Sequence, residues 1–112
     1  MNLIIIIGNA GVAPEIREVN GKKVANFSVA TTERYKDKND EKQEVTIWHR
    51  VVAWEGLAKI VEKHVTRGKQ VRISGKMNYR EYTDQNGVKH NVAEILADEI
   101  ELLGGKKEED AK

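Results

Sequence analysis

Trp48, Arg50 and Trp54 occupy alternate places in one run, residues 44–54. Successive side chains of a strand point to opposite faces. As a strand, this run therefore places Thr46, Trp48, Arg50, Val52 and Trp54 on one face and Val45, Ile47, His49, Val51 and Ala53 on the other. The second set is expected to be core. The first carries two indoles and a guanidinium where a merely solvated face carries lysine, glutamate and threonine. Indole planes stack on nucleobases, and guanidinium groups pair with phosphate oxygens. Residues 70–82 repeat the arrangement, with Val71, Ile73, Met77 and Tyr79 on a core side and Arg72, Lys76, Arg80 and Tyr82 on an outer side. Arg34, Tyr35 and Lys36 form a third aromatic and basic cluster, at the start of a polar loop over residues 37–43. Of the six aromatic residues, four (Tyr35, Trp48, Trp54 and Tyr82) are thus expected on one outer surface, leaving Phe27 and Tyr79 for the interior. Cations alone would describe a solvated face. Interleaved with aromatics on two strands, they describe a track for single-stranded nucleic acid.

The charge distribution supports the same surface. The net charge is only +1. Residues 56–80, however, hold Lys59, Lys63, Arg67, Lys69, Arg72, Lys76 and Arg80 against Glu62 alone. Residues 81–101 reverse this, with Glu81, Asp84, Glu94, Asp98, Glu99 and Glu101 against Lys89. Segregation of this kind gives a near-neutral molecule a positive face.

Other chemistries are disfavoured. With no cysteine there is no disulfide, thiol nucleophile or cysteine zinc site. His49, His64 and His90 match no metal-ligand spacing. His64 extends the apolar stripe of a helix and is expected at the edge of the core. Asp98 falls on the opposite strand face from Glu99 and Glu101, so these acids do not converge as two-metal hydrolysis requires. No glycine-rich phosphate loop with a following lysine is present. The expectation is a binding protein, not an enzyme, with no cofactor and no metal. The apolar run of residues 3–7 is too short for a signal peptide or a membrane span. A soluble, cytoplasmic protein without a membrane partner is expected.

The elements that must position these side chains are mostly strands. Residues 3–7 are continuously apolar and β-branched, which predicts a strand buried on both sides. Asn20-Gly21 predicts a hairpin turn. Strands follow over residues 24–32 and 44–54. Residues 56–67 have helical spacing, with Leu57, Ile60, Val61 and Val65 on one stripe and Gly68 at the C-cap. Strands over residues 70–82 and 88–103 complete the chain, separated by an Asp84-Gln85-Asn86-Gly87 turn. Three long strands, a helix and two strands predict an all-β fold with one helix. Specifically, the order fits an OB-fold, a five-stranded Greek-key barrel with the helix between strands three and four. One domain over residues 1–105 is expected, with residues 106–112 a short, charged, disordered tail.

The sequence also resembles the bacterial-type single-stranded DNA-binding protein family. The carrying segments are Ile7-Gly8-Asn9, Gly11, Pro14-Glu15-Ile16-Arg17, the stretch from Val24 through Ala25-Asn26-Phe27 to Thr31, and Trp48-His49-Arg50-Val51-Val52. They continue with Gly68-Lys69-Gln70-Val71, Ile73, Gly75, Tyr82-Thr83-Asp84, Gly87 and Leu102-Leu103-Gly104-Gly105. The resemblance implies an OB-fold subunit, a homotetramer assembled as a dimer of dimers, and DNA wrapped outside it. It implies base-stacking roles for Tyr35, Trp48, Trp54 and Tyr82, and positions near phosphate for Arg17, Arg50, Arg67 and Arg80. Arg34, Lys36, Arg72 and Lys76 complete the expected DNA track. His49 would lie near the subunit interface, with Leu3, Ile5 and Ile7 as its apolar part. Tyr35 and Tyr82 stand where many relatives carry tryptophan, so weaker stacking is expected there. The family usually ends in a long linker and an acidic tip that recruits repair and replication proteins. Here Glu108-Glu109-Asp110 precede Lys112 without an apolar tip, so recruitment through such a tip is not expected. Two alternatives remain open from the residues themselves: a protein-interaction module of a replisome or primosome, and a single-stranded RNA binder. Interfaces also favour Trp, Tyr and Arg, and no residue here singles out a 2′-hydroxyl.

Overall fold

In the computed structural model, which describes residues 1–104, Asn20 and Gly21 both adopt positive φ, 53° and 81°. That conformation turns the chain between β2 (Glu15–Val19) and β3 (Lys22–Lys36), as an Asn-Gly pair favours. Upstream lies β1 (Ile4–Ala10), and downstream come β4 (Lys42–Trp54), α1 (Gly56–His64), β5 (Gln70–Thr83) and β6 (Lys89–Leu103). β1 and β2 share one edge of β3: β2 pairs along it from Val19↔Lys22 to Glu15↔Asn26, and β1 from Ala10↔Val29 to Asn9↔Ala30. They act as a single interrupted strand. The pairings then run β1-β5-β6-β4-β3 and return to β1, closing a five-stranded barrel. All contacts are antiparallel except β4 with β6, which meet in parallel at Val51↔Ile95 and Val52↔Leu96. With α1 between β4 and β5, this is the expected OB-fold.

Closure depends on two glycines. A Cβ at Gly8 would lie 2.1 Å from the carbonyl oxygen of Ala30, and one at Gly75 would lie 2.1 Å from that of Leu96. Gly75 also marks a bulge. Ser74 pairs with Glu99 but Gly75 with Ala97, leaving Asp98 as the extra residue that bends β6.

The core fills the barrel with Ala25, Phe27 and Val29 from β3, Val51 and Ala53 from β4, Val71 and Ile73 from β5, and Ile95 from β6. α1 covers one end through Ala58 and Val61. The helix stops at His64, three residues short of the expected end. Val65 is extended (φ −94°, ψ 95°), which carries its side chain into the core. Gly68, at φ 84°, therefore serves a tight turn closed by Lys69 N–H donating to Thr66 C=O at 3.0 Å, not the helix cap. His64, expected at the core edge, is exposed.

Alternation places Val45, Ile47 and Tyr79 in the core, yet all are exposed, Tyr79 at 73%. The β3–β4 ladder continues to Lys36↔Lys42 and the β5–β6 ladder to Thr83↔Lys89, well past the last core residues. Both hairpins project as arms, and along an arm the inward pleat faces no interior. The expected loop over residues 37–43 shrinks to a turn. Asp37 Oδ1 accepts the N–H groups of Asn39 (2.8 Å) and Glu41 (3.0 Å), and Asp40 takes φ 65°. The other arm uses the same device: Asp84 Oδ1 accepts from Asn86 (2.9 Å) and Val88 (3.0 Å), with Gly87 at φ 80°. At the N-terminus, Ile6 is buried, whereas Ile5 and Ile7 are exposed on the outer face of β1, as is Leu3 just before it. That strand is buried on one side only.

Candidate nucleic-acid interface

Register sets the outer face of the barrel wall. Across β2, β3 and β4 it aligns Arg17 with Val24 and Val24 with Trp54. The rows beside it place Ser28 against Arg50 and Ala30 against Trp48. A longer row crosses every strand of that wall: Glu15, Asn26, Val52, Leu96 and Lys76. Paired residues of a sheet share a face, so the even-numbered side chains of β4 and Lys76 of β5 look outward together.

Trp48 is held in place without being buried. A Cβ on Gly11 would sit 2.8 Å from its Cζ3 atom, so the indole rests against a residue with no side chain. Trp48 remains 59% exposed. Next to it, Arg17, Arg50 and Arg80 converge on a groove of about 380 Å3 that also includes Asn26 and Ser28. These arginines come from β2, β4 and β5, far apart in the chain. Among the described residues, no ion pair involves Arg17 or Arg50.

A neighbouring groove of about 430 Å3 is lined by Trp48, Arg50, Met77 and Glu94. The Glu94 side chain is only 8% exposed and accepts from Arg80 Nε at 3.3 and 3.2 Å on its two oxygens. Burial of a carboxylate is tolerable because this guanidinium compensates it. Arg80 in turn lies 6.0 Å from the centroid of Tyr82. Tyr82 stacks on His90, with centroids 5.0 Å apart and planes 20° apart. His90 Nε2 is 2.8 Å from Asp84 Oδ2. A carboxylate can only accept, so the imidazole carries its proton on Nε2. This bond is the main reason the Asp84 carboxyl lies below the usual aspartate range, helped by the Val88 N–H. The turn therefore has the full benefit of that carboxylate above the ordinary aspartate range and loses it as pH falls through the lowered value.

Residues 1–103 match the family described as the Single-strand binding protein family. The chain belongs to this family. A relative in Xylella fastidiosa, Single-stranded DNA-binding protein 1, is 41% identical over 96% of this chain and 81% of its own length. The Single-stranded DNA-binding protein of Neisseria meningitidis serogroup A is 37% identical over 96% of this chain, which spans only 63% of that relative. Among solved structures, a Plasmodium falciparum SSB complex with ssDNA superposes with a TM-score of 0.86 at 31% identity, covering 92% of this chain and 95% of the other.

The remaining family positions named from the sequence are scattered. Trp54 keeps 37% of its surface exposed, on the face of Arg50. Arg34 is on the pleat face of Trp48 but is engaged by Glu44 at 3.0 Å. Tyr35 pairs with Gln43 and so shares the opposite pleat, that of Ile47 and His49. The expectation of four aromatics on one surface is corrected to this extent, because Tyr35 lies in an arm strand whose two faces are both exposed. Tyr35 and Lys36 instead flank an apolar hollow at the tip of that arm with Lys42 and Gln43. Arg67 is exposed in the turn after α1. Arg72 departs from the track: it pairs with Ile7 and Glu101, and its Nη1 lies 3.7 Å from Glu99 and 3.9 Å from Glu101. Two carboxylates already answer its charge. Of the suggested interface residues, Ile5 and Ile7 share that outer face of β1 and β5, and Leu3 is exposed just before β1. His49 is half-buried on the other pleat of β4, with Nε2 2.9 Å from Thr31 Oγ1. Sequence reasoning left out Glu94 and His90. A lone acid in an acidic segment and a lone histidine give no signal until the hairpin register sets them beside Arg80 and Tyr82. The proposed charged tail, residues 106–112, lies outside the described residues.

Proposed function

We propose that this protein binds single-stranded DNA without reading its sequence, coating and protecting it during replication, recombination and repair. The observation that carries this reading is the convergence of Arg17 and Arg50, neither in an ion pair among the described residues, on one groove beside the exposed, pre-positioned ring of Trp48. Stacking would contribute about 1–3 kcal/mol per base. Phosphate contacts would add the salt-dependent term, a slope of about −0.7 in log K against log[salt] for each phosphate neutralised. Neither step makes or breaks a covalent bond, and no cofactor enters. The site of action would be the bacterial cytoplasm or nucleoid; among the described residues, no helix is long and apolar enough to cross a membrane.

A titration of tryptophan fluorescence with oligo(dT) of several lengths, at low and high salt, tests the proposal. Quenching that saturates and requires a minimum length supports it. Absence of quenching at low salt overturns it and turns attention to a protein partner for the aromatic face.

The arginines of the groove should differ in their salt response. Arg50→Ala should flatten the slope by about 0.7, the loss of one phosphate contact. The double change Arg80→Ala with Glu94→Gln removes a neutral pair and should leave the slope unchanged. Arg80→Ala alone should instead lower stability by about 1–3 kcal/mol, because it strands a buried carboxylate. Binding isotherms over a salt series, with a urea melt of each variant, check all three.

The proposal extends to self-association. Ile5 and Ile7 on the outer face of β1, with Leu3 just before it, are exposed apolar residues, a surface suited to a second copy on the way to a homotetramer. Light scattering should give a mass of about four chains; a monomer overturns the tetramer.

A further inference from the structure

The β5–β6 arm carries a ring pair that contributes nothing to the core. Tyr82 and His90 face each other across the hairpin, are stacked at 5.0 Å and remain close to half exposed, at 45% and 43%. His90 is gripped a second time by Asp84, which is itself fixed by the N–H groups of Asn86 and Val88. Ordering an exposed side chain costs rotamer entropy without burying surface in return. Its product here is a rigid two-ring surface at the end of a row that begins with Arg80 and continues from the arginine groove.

We propose that His90 is a DNA-binding residue: stacked on Tyr82, it extends the aromatic surface on which one base stacks. The assignment rests on the proposed single-stranded DNA binding. The charged groups on its face are Asp84 in the turn and Arg80 on β5; Glu94, further along the same face of β6, is taken up by Arg80. Glu81 and Lys89 belong to the opposite pleat of the arm. With Arg80 answered by Glu94 and Asp84 engaged by His90, this end of the arm contributes stacking rather than a phosphate contact.

The test compares the full chain with His90→Ala and His90→Phe. Each is titrated with one labelled oligo(dT), and circular dichroism checks that each is folded. His90→Ala should bind about fivefold or more weakly, the loss of stacking surface. His90→Phe keeps a ring against Tyr82 and should bind like the unchanged protein. A purely structural histidine, acting through its bond to Asp84, would weaken binding in both variants alike. Equal affinity of His90→Ala and the unchanged protein overturns the assignment, and so does an equal loss in the two variants. If the unchanged protein fails to bind oligo(dT) at all, the DNA reading falls as well.

Discussion

Trp48→Ala should weaken binding to single-stranded DNA by about 1–3 kcal/mol, roughly 5- to 150-fold, and by the same factor for dT, dA and dC oligomers. The ring offers its face to any base because every base has a π-surface, and it makes no contact that would distinguish one from another. Its position is set in advance. Gly11 provides a floor free of a side chain, with Ser28 on the neighbouring strand β3 and Arg50 two residues along on β4 itself. Little of the folded state depends on it, since most of its surface is already in water. The melting temperature of the variant should therefore stay close to that of the unchanged protein while its affinity falls. Fluorescence anisotropy of labelled oligomers measures the affinity without relying on the lost indole. A loss confined to one oligomer sequence would show that the face reads bases.

Gly8→Ala should have the largest effect on folding. The new methyl would lie 2.1 Å from the Ala30 carbonyl oxygen and 2.9 Å from its carbon. Both atoms are backbone in the strand that closes the barrel, so no rotamer change relieves the contact. Overpacking in a yielding core costs about 1–3 kcal/mol, and a backbone clash at the closure should reach or exceed the upper end. For a domain of this size that is a fall in Tm of about 10 °C or more. Gly75→Ala, facing the Leu96 carbonyl oxygen at 2.1 Å, should behave alike. Gly56→Ala is the control. It stands in open space at the start of α1 without a positive φ, and should be neutral or stabilising by about 0.4–1 kcal/mol. Thermal melts of the three variants under one condition decide the matter. Equal melting temperatures would mean that the strands do not approach at Gly8 and Gly75 as described.

How far each feature was legible follows from the range of the interaction behind it. The strand positions, the Asn20-Gly21 turn and the helix after Trp54 depend on neighbours a few residues away, and local periodicity was enough to find them. The helix is shorter than its spacing predicts because Val65 leaves it for a place in the core, a demand made by β-strands distant in sequence. Val45, Ile47 and Tyr79 alternate correctly with their neighbours; their exposure follows from where the barrel ends along each hairpin, which the alternation does not encode.

Pleat alternation is a property of the local backbone, so the order of residues alone tells which side chains could bind a nucleic acid and which of them share a strand face. Trp48, Arg50 and Trp54 fall together on that ground. Which strands lie side by side, and in what register, depends on the closed barrel. That choice brought Arg17, Arg50 and Arg80 to one groove, turned Arg72 towards Glu99 and Glu101, and set Tyr35 on the other pleat. It also placed Glu94 under Arg80 and His90 against Tyr82. Cross-strand partners are fixed by barrel closure and by the bulge at Asp98, which depend on how the whole core packs, so no single segment of the chain contains them.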